Sequence, residues 1–490
     1  MVAGSGALDE GVTLPRLRRS GVVLGLEASQ LVFVAAGLVV LVTANIGGGS
    51  AAILSSWWLW LPLLAFGAGS WRGRSFVDRA AVAGVAQLRR VLGKTSASVD
   101  VDRGRQPWTE SRLDVPGALG ARMHLLELVG TDFGGACMVW DAREGTATGV
   151  LLVSGSGWEA LSYEERSAAA AGFGLACRGV TPLAGVERVV TYARTIPRTT
   201  EYLRLGQASG STYADQEYEE LLSSGALGNP PYRDVLVAVT LRQDAVRAEV
   251  KQRGGGRLGL SRVLAERMRD LATDLTAAGA QVRGGQWMSA AAIRAACRLA
   301  FDPMAAVWLN PTDGLPADAI AATSVRERNG DHLELDSAVA RTWWVEQWPN
   351  ERVSAGFLAL LSATGEFPHT VTQVWRPLDE KTSQKRLNND KEALRTVGRL
   401  SKALGRDATG AQLAEEQALE ARTHALTAGY TDVSYSAFVT AVTADPEGLN
   451  HVGRWLRQVA PGAVFNPLRG QQWASFAQAA LPLGVSNRKR

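Results

Sequence analysis

Two apolar segments near the start of the chain, joined by Gly47-Gly48-Gly49, constrain its fold more than any other feature. Residues 28–46 and 51–70 each have about the 20 residues that a helix rising ~1.5 Å per residue needs to cross a hydrocarbon layer. A lone segment in a bilayer must be helical, because an unsatisfied backbone group costs several kcal/mol there. The pattern predicts a transmembrane helical hairpin over residues 21–71.

Arginines flank this hairpin on both outer sides, whereas the connecting turn carries no charge. Short cytoplasmic flanks of membrane helices are enriched in Lys and Arg, and tryptophans collect at the membrane–water interface. The sequence therefore predicts two spans of the cell (inner) membrane, with both termini in the cytoplasm. The predicted membrane-interface residues are Arg16, Arg18, Arg19, Trp57, Trp58, Trp60, Trp71, Arg72 and Arg74.

Two other interpretations fit apolar segments of this kind: a pair of core helices in a soluble protein, and a cleaved signal peptide. The matched basic flanks argue against core helices. A signal peptide has a cationic start, a short apolar core and a small-residue cleavage site before the mature domain. Because a second apolar segment follows at once, a retained anchor is favoured.

The rest of the composition is that of an ordinary globular chain. Of the 490 residues, roughly 400 lie outside the hairpin, which predicts two or three domains. The formal net charge of +4 is small for this length and does not indicate a dedicated nucleic-acid-binding protein. The arginines beside the hairpin are attracted to anionic lipid by about 1 kcal/mol each. Cys137, Cys177 and Cys297 lie far apart in apolar contexts, which predicts buried thiols in a reducing compartment.

Strand patterns followed by alternating helices and strands predict the fold of the remaining chain. They predict a cytoplasmic α/β (α+β) body of two mixed-sheet units with helices packed on them. Ser162-x-x-Glu165 has the spacing of a helix capping box, with Gly179 at the predicted helix end, and Asn329-Gly330 is typical of a β-hairpin turn. The predicted divisions are a cytoplasmic tail (1–20), the hairpin (21–71), a basic juxtamembrane helix and linker (72–110), a first α/β unit (111–310) and a second α/β unit (311–490).

No motif in the sequence indicates a catalytic, cofactor or metal site. Gly93-Lys94-Thr95 is similar to the end of a phosphate-binding loop, but Leu88 stands where the first glycine is required, and Gly254–Gly259 is not followed by the lysine. The five histidines form no i,i+4 pair. The sequence predicts a protein that is not an enzyme and has no cofactor. A membrane-tethered hydrolase, with a site assembled in space from scattered residues, stays open as an alternative.

Aromatic residues give the body its strongest candidate for partner contact. Trp343 and Trp344 are neighbours on a predicted strand and therefore point to opposite faces, so at most one of them is required in the core. Tryptophan is enriched where interfaces concentrate binding energy, and ordinary packing is the alternative. The basic stretch from Lys381 to Arg406 can meet acidic protein or nucleic acid, or be a solvated helix. The predicted partner-contact residues are Trp343, Trp344, Trp348, Trp375 and Arg376.

Four segments carry a resemblance to a known family: Gly25–Leu31 before the first span, Trp71–Ser75 after the second, the strand Ala340–Trp344, and the closing Phe476–Gly484. Together they resemble an actinobacterial two-span membrane protein family of conjugative, type IV secretion-like gene clusters. The hairpin is similar to small PrgI-type inner-membrane proteins. The body resembles the non-motor N-terminal region of the conjugation ATPase.

This resemblance implies a non-enzymatic scaffold at the inner face of the membrane that docks a separate motor ATPase. It also implies other secretion-channel subunits as partners and an oligomeric assembly. The EccE component of actinobacterial type VII secretion has the same plan of two N-terminal spans and a cytoplasmic α/β body. The order of elements does not separate the two families, although the basic region after Trp375 and the closing Leu-Pro-Leu-Gly favour the conjugation family.

Overall fold

The structure is a computed structural model that describes residues 28–71, 74–98, 111–128, 135–155, 161–197, 232–307, 314–316, 319–349, 367–403 and 432–486, with isolated positions between 213 and 220, at 309 and 361, and between 416 and 427. The chain divides into two compact units. The body unit comprises Met1–Arg16, Gly93–Arg376 and Tyr435–Arg490. The other unit comprises Leu17–Leu92 and Pro377–Ser434, and it is called the anchor unit after the membrane anchor that the sequence predicts.

The anchor unit is mainly helical. Its described elements are α1 (Ala28–Ser55), α2 (Trp57–Ala68), the short strands β1 (Ser70–Trp71) and β2 (Arg74–Ser75), α3 (Phe76–Val91) and α8 (Glu380–Ala403). Helix α3 lies within the stretch 72–110, for which the sequence predicts a basic juxtamembrane helix and linker, and the Ser75 hydroxyl caps it by accepting a hydrogen bond from the Asp78 amide at 3.0 Å. Helix α8 contains the basic stretch that begins at Lys381 as far as Ala403, and residues 404–406 lie outside the described residues.

The body unit contains a 14-stranded antiparallel sheet among its described residues. Strands of the first half of the chain are β3 (Ser96–Ser98), β4 (Ser111–Arg112), β5 (Met123–Glu127), β6 (Cys137–Asp141), β7 (Thr146–Gly155), β8 (Val186–Ile196), β9 (Tyr232–Arg242) and β10 (Ala280–Trp287). Those of the second half are β11 (Ser324–Arg328), β12 (His332–Glu334), β13 (Val339–Gln347), β14 (His369–Pro377), β15 (Val433–Thr443) and β16 (Val464–Pro467).

The strand order is a mirror image about its centre, where β8 pairs with β14. The order reads β3-β11-β12-β13-β15-β14-β8-β9-β7-β6-β5-β4. On each side of the centre, three consecutive strands form a meander, β5-β6-β7 on one side and β11-β12-β13 on the other. The next two strands of the chain lie closer to the centre in reversed order, β9 before β8 and β15 before β14. The additional strand β10 pairs with β7 as β16 pairs with β13. The two halves of the body therefore have equivalent topologies.

Threonine pairs occupy corresponding places in the two halves. Thr148 and Thr240 face each other across β7 and β9, with hydroxyl oxygens 2.9 Å apart. Thr342 and Thr440 do the same across β13 and β15 at 3.0 Å. Cross-strand pairs of this kind stabilise neighbouring strands, so the same local interaction supports both halves.

Helices cover both faces of the sheet. On one face, α7 (Ala290–Phe301) and α10 (Gln472–Ala479) pack over a core formed by alternate residues of the central strands. On the opposite face, α4 (Tyr163–Val180) and α6 (Gly256–Ala277), with the short α5 (Arg247–Gln252), cover the first half. Helix α9 (Pro446–Val459) covers the second half on that face. Each half thus places one helix on each side of the sheet after its last long strand.

The structure confirms the predicted α/β body with helices on a sheet but does not confirm two separate sheet units. The strands of both halves join through β8 and β14, whose register runs from His369↔Thr195 to Trp375↔Val189. The strand pairs at and beside this junction are antiparallel, not mixed. The two sheet units predicted from the sequence are therefore two halves of one sheet, which lies in the body unit.

Local turn and cap predictions agree with the structure at two places and fail at one. Ser162 and Glu165 form the capping box, with the Glu165 carboxylate accepting from the Ser162 amide at 2.8 Å and the Ser162 hydroxyl accepting from the Glu165 amide at 3.3 Å. Asn329 and Gly330 both have positive φ in the β11–β12 turn. The predicted helix end at Gly179 is wrong, because α4 continues through Gly179 to Val180 and the left-handed glycine follows at Gly185.

Candidate membrane anchor and partner-contact surface

The glycine turn of the predicted hairpin is present in the structure. Helix α1 is interrupted at Gly48 and Gly49, whose backbones are non-helical, and Gly49 has a φ of 62°. Only glycine adopts such a conformation without strain. The chain then reverses and continues through the end of α1 into α2, with a bend at Ser56 across which the Trp60 indole donates to the Ile53 carbonyl at 3.1 Å.

The two arms of the hairpin pack closely because glycine stands at their contacts. A Cβ atom on Gly67 would lie 2.9 Å from the Val34 backbone nitrogen, and one on Gly37 would lie 2.9 Å from the Leu64 side chain. Small residues of this kind let membrane helices approach each other. The Gln30 amide donates to the Gly67 carbonyl at 2.9 Å, which satisfies a buried polar group at the open end of the hairpin.

Most of the outer surface of these helices is apolar and exposed. Ile46, for example, is 80% exposed, and the described part of the chain places nothing over it. One helix, Ser29–Ser55, is long and apolar enough to cross a membrane, with a mean hydropathy of 2.2. By length and composition, a signal sequence near the N-terminus passes the same test. Helix α2, at 12 residues, is shorter than a span.

The predicted interface residues fall in three groups. Trp57 and Trp58 are exposed at the start of α2, and Trp60 is half-buried. The backbones of Trp71 and Arg74 pair with each other between β1 and β2, at the end of the hairpin. The predicted residues that lie outside the described residues are Arg16, Arg18, Arg19 and Arg72.

The predicted partner-contact tryptophans do not share one surface. Trp343 and Trp348 are 4% and 3% exposed and belong to the core beneath α9, where a Cβ on Gly453 of that helix would lie 3.9 Å from Cζ2 of Trp343. Trp375 is half-buried on the same face and packs against Tyr435, with ring centroids 6.1 Å apart. Burial leaves Trp343 and Trp348 little surface to offer a partner.

Trp344 points to the other face of the sheet, as strand alternation predicts. It is half-buried and lies directly across from Phe438 of β15 and Asn466 of β16. Beside it, the Asn466 amide donates to the Glu346 carboxylate at 2.7 Å. The half-exposed aromatic pair Trp344–Phe438, next to a polar pair, has the composition of an interface centre with a polar rim.

Arg376 follows Trp375 on β14 and contacts the end of the described chain. Its Nη2 donates to the Ser486 hydroxyl at 3.1 Å. The segment before Ser486 crosses the sheet closely, because a Cβ on Gly484 would lie 2.1 Å from the Thr148 hydroxyl. Arg376 therefore fixes the closing segment on the sheet, a role that the sequence did not indicate.

Two buried polar side chains of the body, Arg194 and His369, pair with a carboxylate or with backbone carbonyls. Arg194 of β8 holds Asp234 of β9 by two hydrogen bonds, one of them from Nε to Oδ1 at 2.7 Å, and its Nη1 donates to the Ala296 carbonyl at 3.3 Å. The ring nitrogens of His369 face the carbonyl oxygens of Phe367, at 2.7 Å, and of Leu361. Burial lowers the pKa of His369. These groups serve packing, and sequence reasoning singled out none of their contacts.

The three cysteines are free and buried, as predicted from their apolar contexts. Burial raises the pKa of Cys137, Cys177 and Cys297 to about 12, which keeps them as unreactive thiols at neutral pH.

A small cavity lies beside the Arg194–Asp234 pair. Its wall is formed partly by Arg194, His369 and Thr440. It measures about 20 Å³, which is room for one water molecule. Within the described ranges, no group of three His, Cys, Asp or Glu side chains is placed to hold a metal ion.

No protein-family model matches this chain, and comparison with curated protein sequences finds no match. The assignment of a function therefore depends on the residues and on the geometry of the two units.

Proposed function

We propose that this chain is a non-enzymatic inner-membrane scaffold subunit of a conjugative, type IV secretion-like translocation apparatus, and that its cytoplasmic body docks a separate motor ATPase. The observation that carries the proposal is the tightly packed helical hairpin with an exposed apolar exterior. In water such a surface would be covered by other parts of the protein. The residue resemblance supports the assignment to a secretion apparatus.

In this proposal both arms of the hairpin span the membrane, and both termini are cytoplasmic. The close antiparallel contacts of Gly37 and Gly67 support it, because they keep the second arm beside the first for most of its length. The uncharged turn at Gly48 and Gly49 supports an extracytoplasmic loop, because no charge has to be transferred across the bilayer.

Cysteine labelling in intact cells tests this topology. A Gly47→Cys variant, whose added Cβ meets no other atom, is expected to react with a membrane-impermeant maleimide from outside, whereas Ser96→Cys is expected to react only after permeabilisation. The native thiols give little background because all three are buried. Labelling of Ser96→Cys in intact cells, or recovery of the chain from the soluble fraction without detergent, contradicts the topology. The intact mass of the purified chain shows whether a leader has been removed.

Co-purification from detergent tests the docking of a motor. The wild-type chain is expected to retain a motor ATPase encoded by a neighbouring gene, and Trp344→Ala to retain severalfold less. Leu175→Ala, which truncates an exposed residue on α4, is the matched control. Unchanged protection of Cys297 from thiol reagents shows that Trp344→Ala still folds. Equal recovery with both variants contradicts the Trp344–Phe438 surface as the docking site. A monomer without the ATPase, with all neighbouring gene products present, contradicts the scaffold proposal.

A further inference from the structure

Helix α3 follows the hairpin directly and has an apolar face that the described residues leave uncovered. None of its residues is buried, and Leu88 and Val91 are 57% and 78% exposed. At helical spacing these side chains form one stripe. Its exposed large members are Val85, Leu88, Val91 and the C-cap residue Leu92.

The opposite face of α3 is basic. By helical spacing Arg79 and Arg90 lie there and Arg89 borders the apolar stripe, with Asp78 in the first turn as the single acidic residue of the helix. An amphipathic helix of a globular protein buries its apolar stripe against a core. A helix that combines a narrow apolar face with a Lys- or Arg-rich polar face is typical of helices that lie in the membrane interface.

The start of α3 is fixed at the end of α2. The Phe76 amide donates to the Gly69 carbonyl at 3.1 Å, and the Phe76 ring stacks on Phe66 of α2 with centroids 6.4 Å apart. Glycine is required at position 69, because a Cβ there would lie 2.3 Å from the Phe76 ring. The β1–β2 reversal brings the chain back to this point. The apolar stripe of α3 therefore begins at the depth where the hairpin ends.

We infer that α3 lies in the headgroup layer of the cytoplasmic leaflet, with its apolar stripe in the acyl boundary and its arginines against anionic phospholipid headgroups. This inference rests on the proposed membrane insertion of the hairpin. Continuity with the hairpin and the matching charge identify lipid as the occupant of the stripe. The helix then acts as a second contact with the membrane, immediately before the chain enters the body.

Depth-dependent quenching in the full chain tests the inference. The chain is reconstituted in phosphatidylcholine vesicles with or without phosphatidylglycerol, and brominated lipid quenches a bimane label. The label is attached to Leu88→Cys on the stripe, to Ala83→Cys on the exposed polar side of the same helix, or to Val39→Cys in the middle of α1. The native cysteines are buried and take no label in the folded protein.

The Leu88→Cys label is expected to be quenched severalfold more than the Ala83→Cys label, and only when phosphatidylglycerol is present. The Val39→Cys label is expected to be quenched in both lipid mixtures. Quenching at Val39 without quenching at Leu88 overturns the inference but not the proposed membrane anchor. It shows that a protein surface or solvent, not lipid, contacts the apolar stripe of α3. Equal quenching at Leu88 without phosphatidylglycerol overturns the assignment of an anionic headgroup. Absence of quenching at Val39 overturns the proposed anchor itself.

Discussion

The buried ion pair between Arg194 and Asp234 makes a quantitative prediction about the stability of the body unit. Both side chains are 2% exposed, and they join neighbouring strands at the β8–β9 pair while Arg194 also binds the Ala296 carbonyl of α7. Replacement of Asp234 by Ala removes this carboxylate from a guanidinium that stays in the core. Breaking a buried pair from one side costs about 3–5 kcal/mol, much more than an exposed pair is worth.

Thiol protection of Cys297 measures this loss within the body unit. Cys297 follows Ala296 on α7 and is fully buried, so a thiol reagent reaches it only when that part of the body opens. A loss of 3–5 kcal/mol raises the open population, and with it the labelling rate, by roughly 10²- to 10⁴-fold. Mass spectrometry of the Cys297 peptide separates this signal from unfolding of the anchor unit.

A double variant distinguishes the ion pair from simple loss of packing. Arg194→Met combined with Asp234→Leu removes both charges and keeps apolar volume, so it is expected to recover most of the protection. A labelling rate within tenfold of wild type for Asp234→Ala would refute the reasoning, since it would mean that water reaches the pair. A double variant as labile as the single variant would assign the loss to packing.

Three further outcomes follow from contacts described above. Gly67→Leu is expected to separate the hairpin arms, because Val34 leaves no room for a side chain, and to increase proteolysis of the hairpin in detergent; Gly47→Ala, with no atom near its added Cβ, is the control. Ser162→Ala removes half of a capping box and is expected to cost α4 about 1 kcal/mol, measured as faster amide exchange in its first turn, with an unchanged rate counting against the cap. Burial lowers the pKa of His369 in the folded protein. As the pH falls through about 6.5, His369 is therefore protonated in the unfolded chain before it is protonated in the folded protein. The free energy of unfolding is therefore expected to fall between pH 7 and 5, in a denaturant titration, and His369→Gln to weaken that dependence; an equal slope in the variant would assign it to other groups.

Local elements of this fold could be predicted from the sequence because their signals are local. The apolar run Val235–Leu241 lies inside β9, and the leucine repeat from Leu260 to Leu275 lies inside α6. Ser289, a typical capping residue directly before an alanine-rich run, is the N-cap of α7, and its hydroxyl accepts a hydrogen bond from the Ala292 amide at 3.1 Å. Spacing and capping chemistry determine these features within a few residues of the chain.

The joining of the two halves into one sheet could not be predicted in the same way. Strand periodicity shows which residues share a face but not which strand lies beside another. The pairing of β8 with β14 connects segments that are far apart in the chain. An alternating pattern in Val186–Ile196 is equally consistent with an edge strand and with a central one, so the sequence predicted two units where the structure has two halves.

The burial of the tryptophan side chains could be predicted from the sequence only in part, for the same reason. Alternation predicted that Trp343 and Trp344 face opposite ways, and they do, but it could not tell that α9 would cover Trp343. The same holds for Gln30: a polar side chain in an apolar run indicates a partner within the hairpin but does not identify it. Its partner, the carbonyl of Gly67, depends on the packing of the two arms.

The mirrored order of strands has a consequence for biosynthesis. Strand β8 can pair with β9 soon after both leave the ribosome, but its other edge must wait until Pro377, the last residue of β14, has been translated. At 5–20 residues per second, synthesis of the intervening ~180 residues takes roughly ten to forty seconds. For that interval a long, apolar strand edge is open to pairing with other nascent chains. Slowing translation between β9 and β14 should therefore increase aggregation of this protein, and chaperones that cover such edges should reduce it.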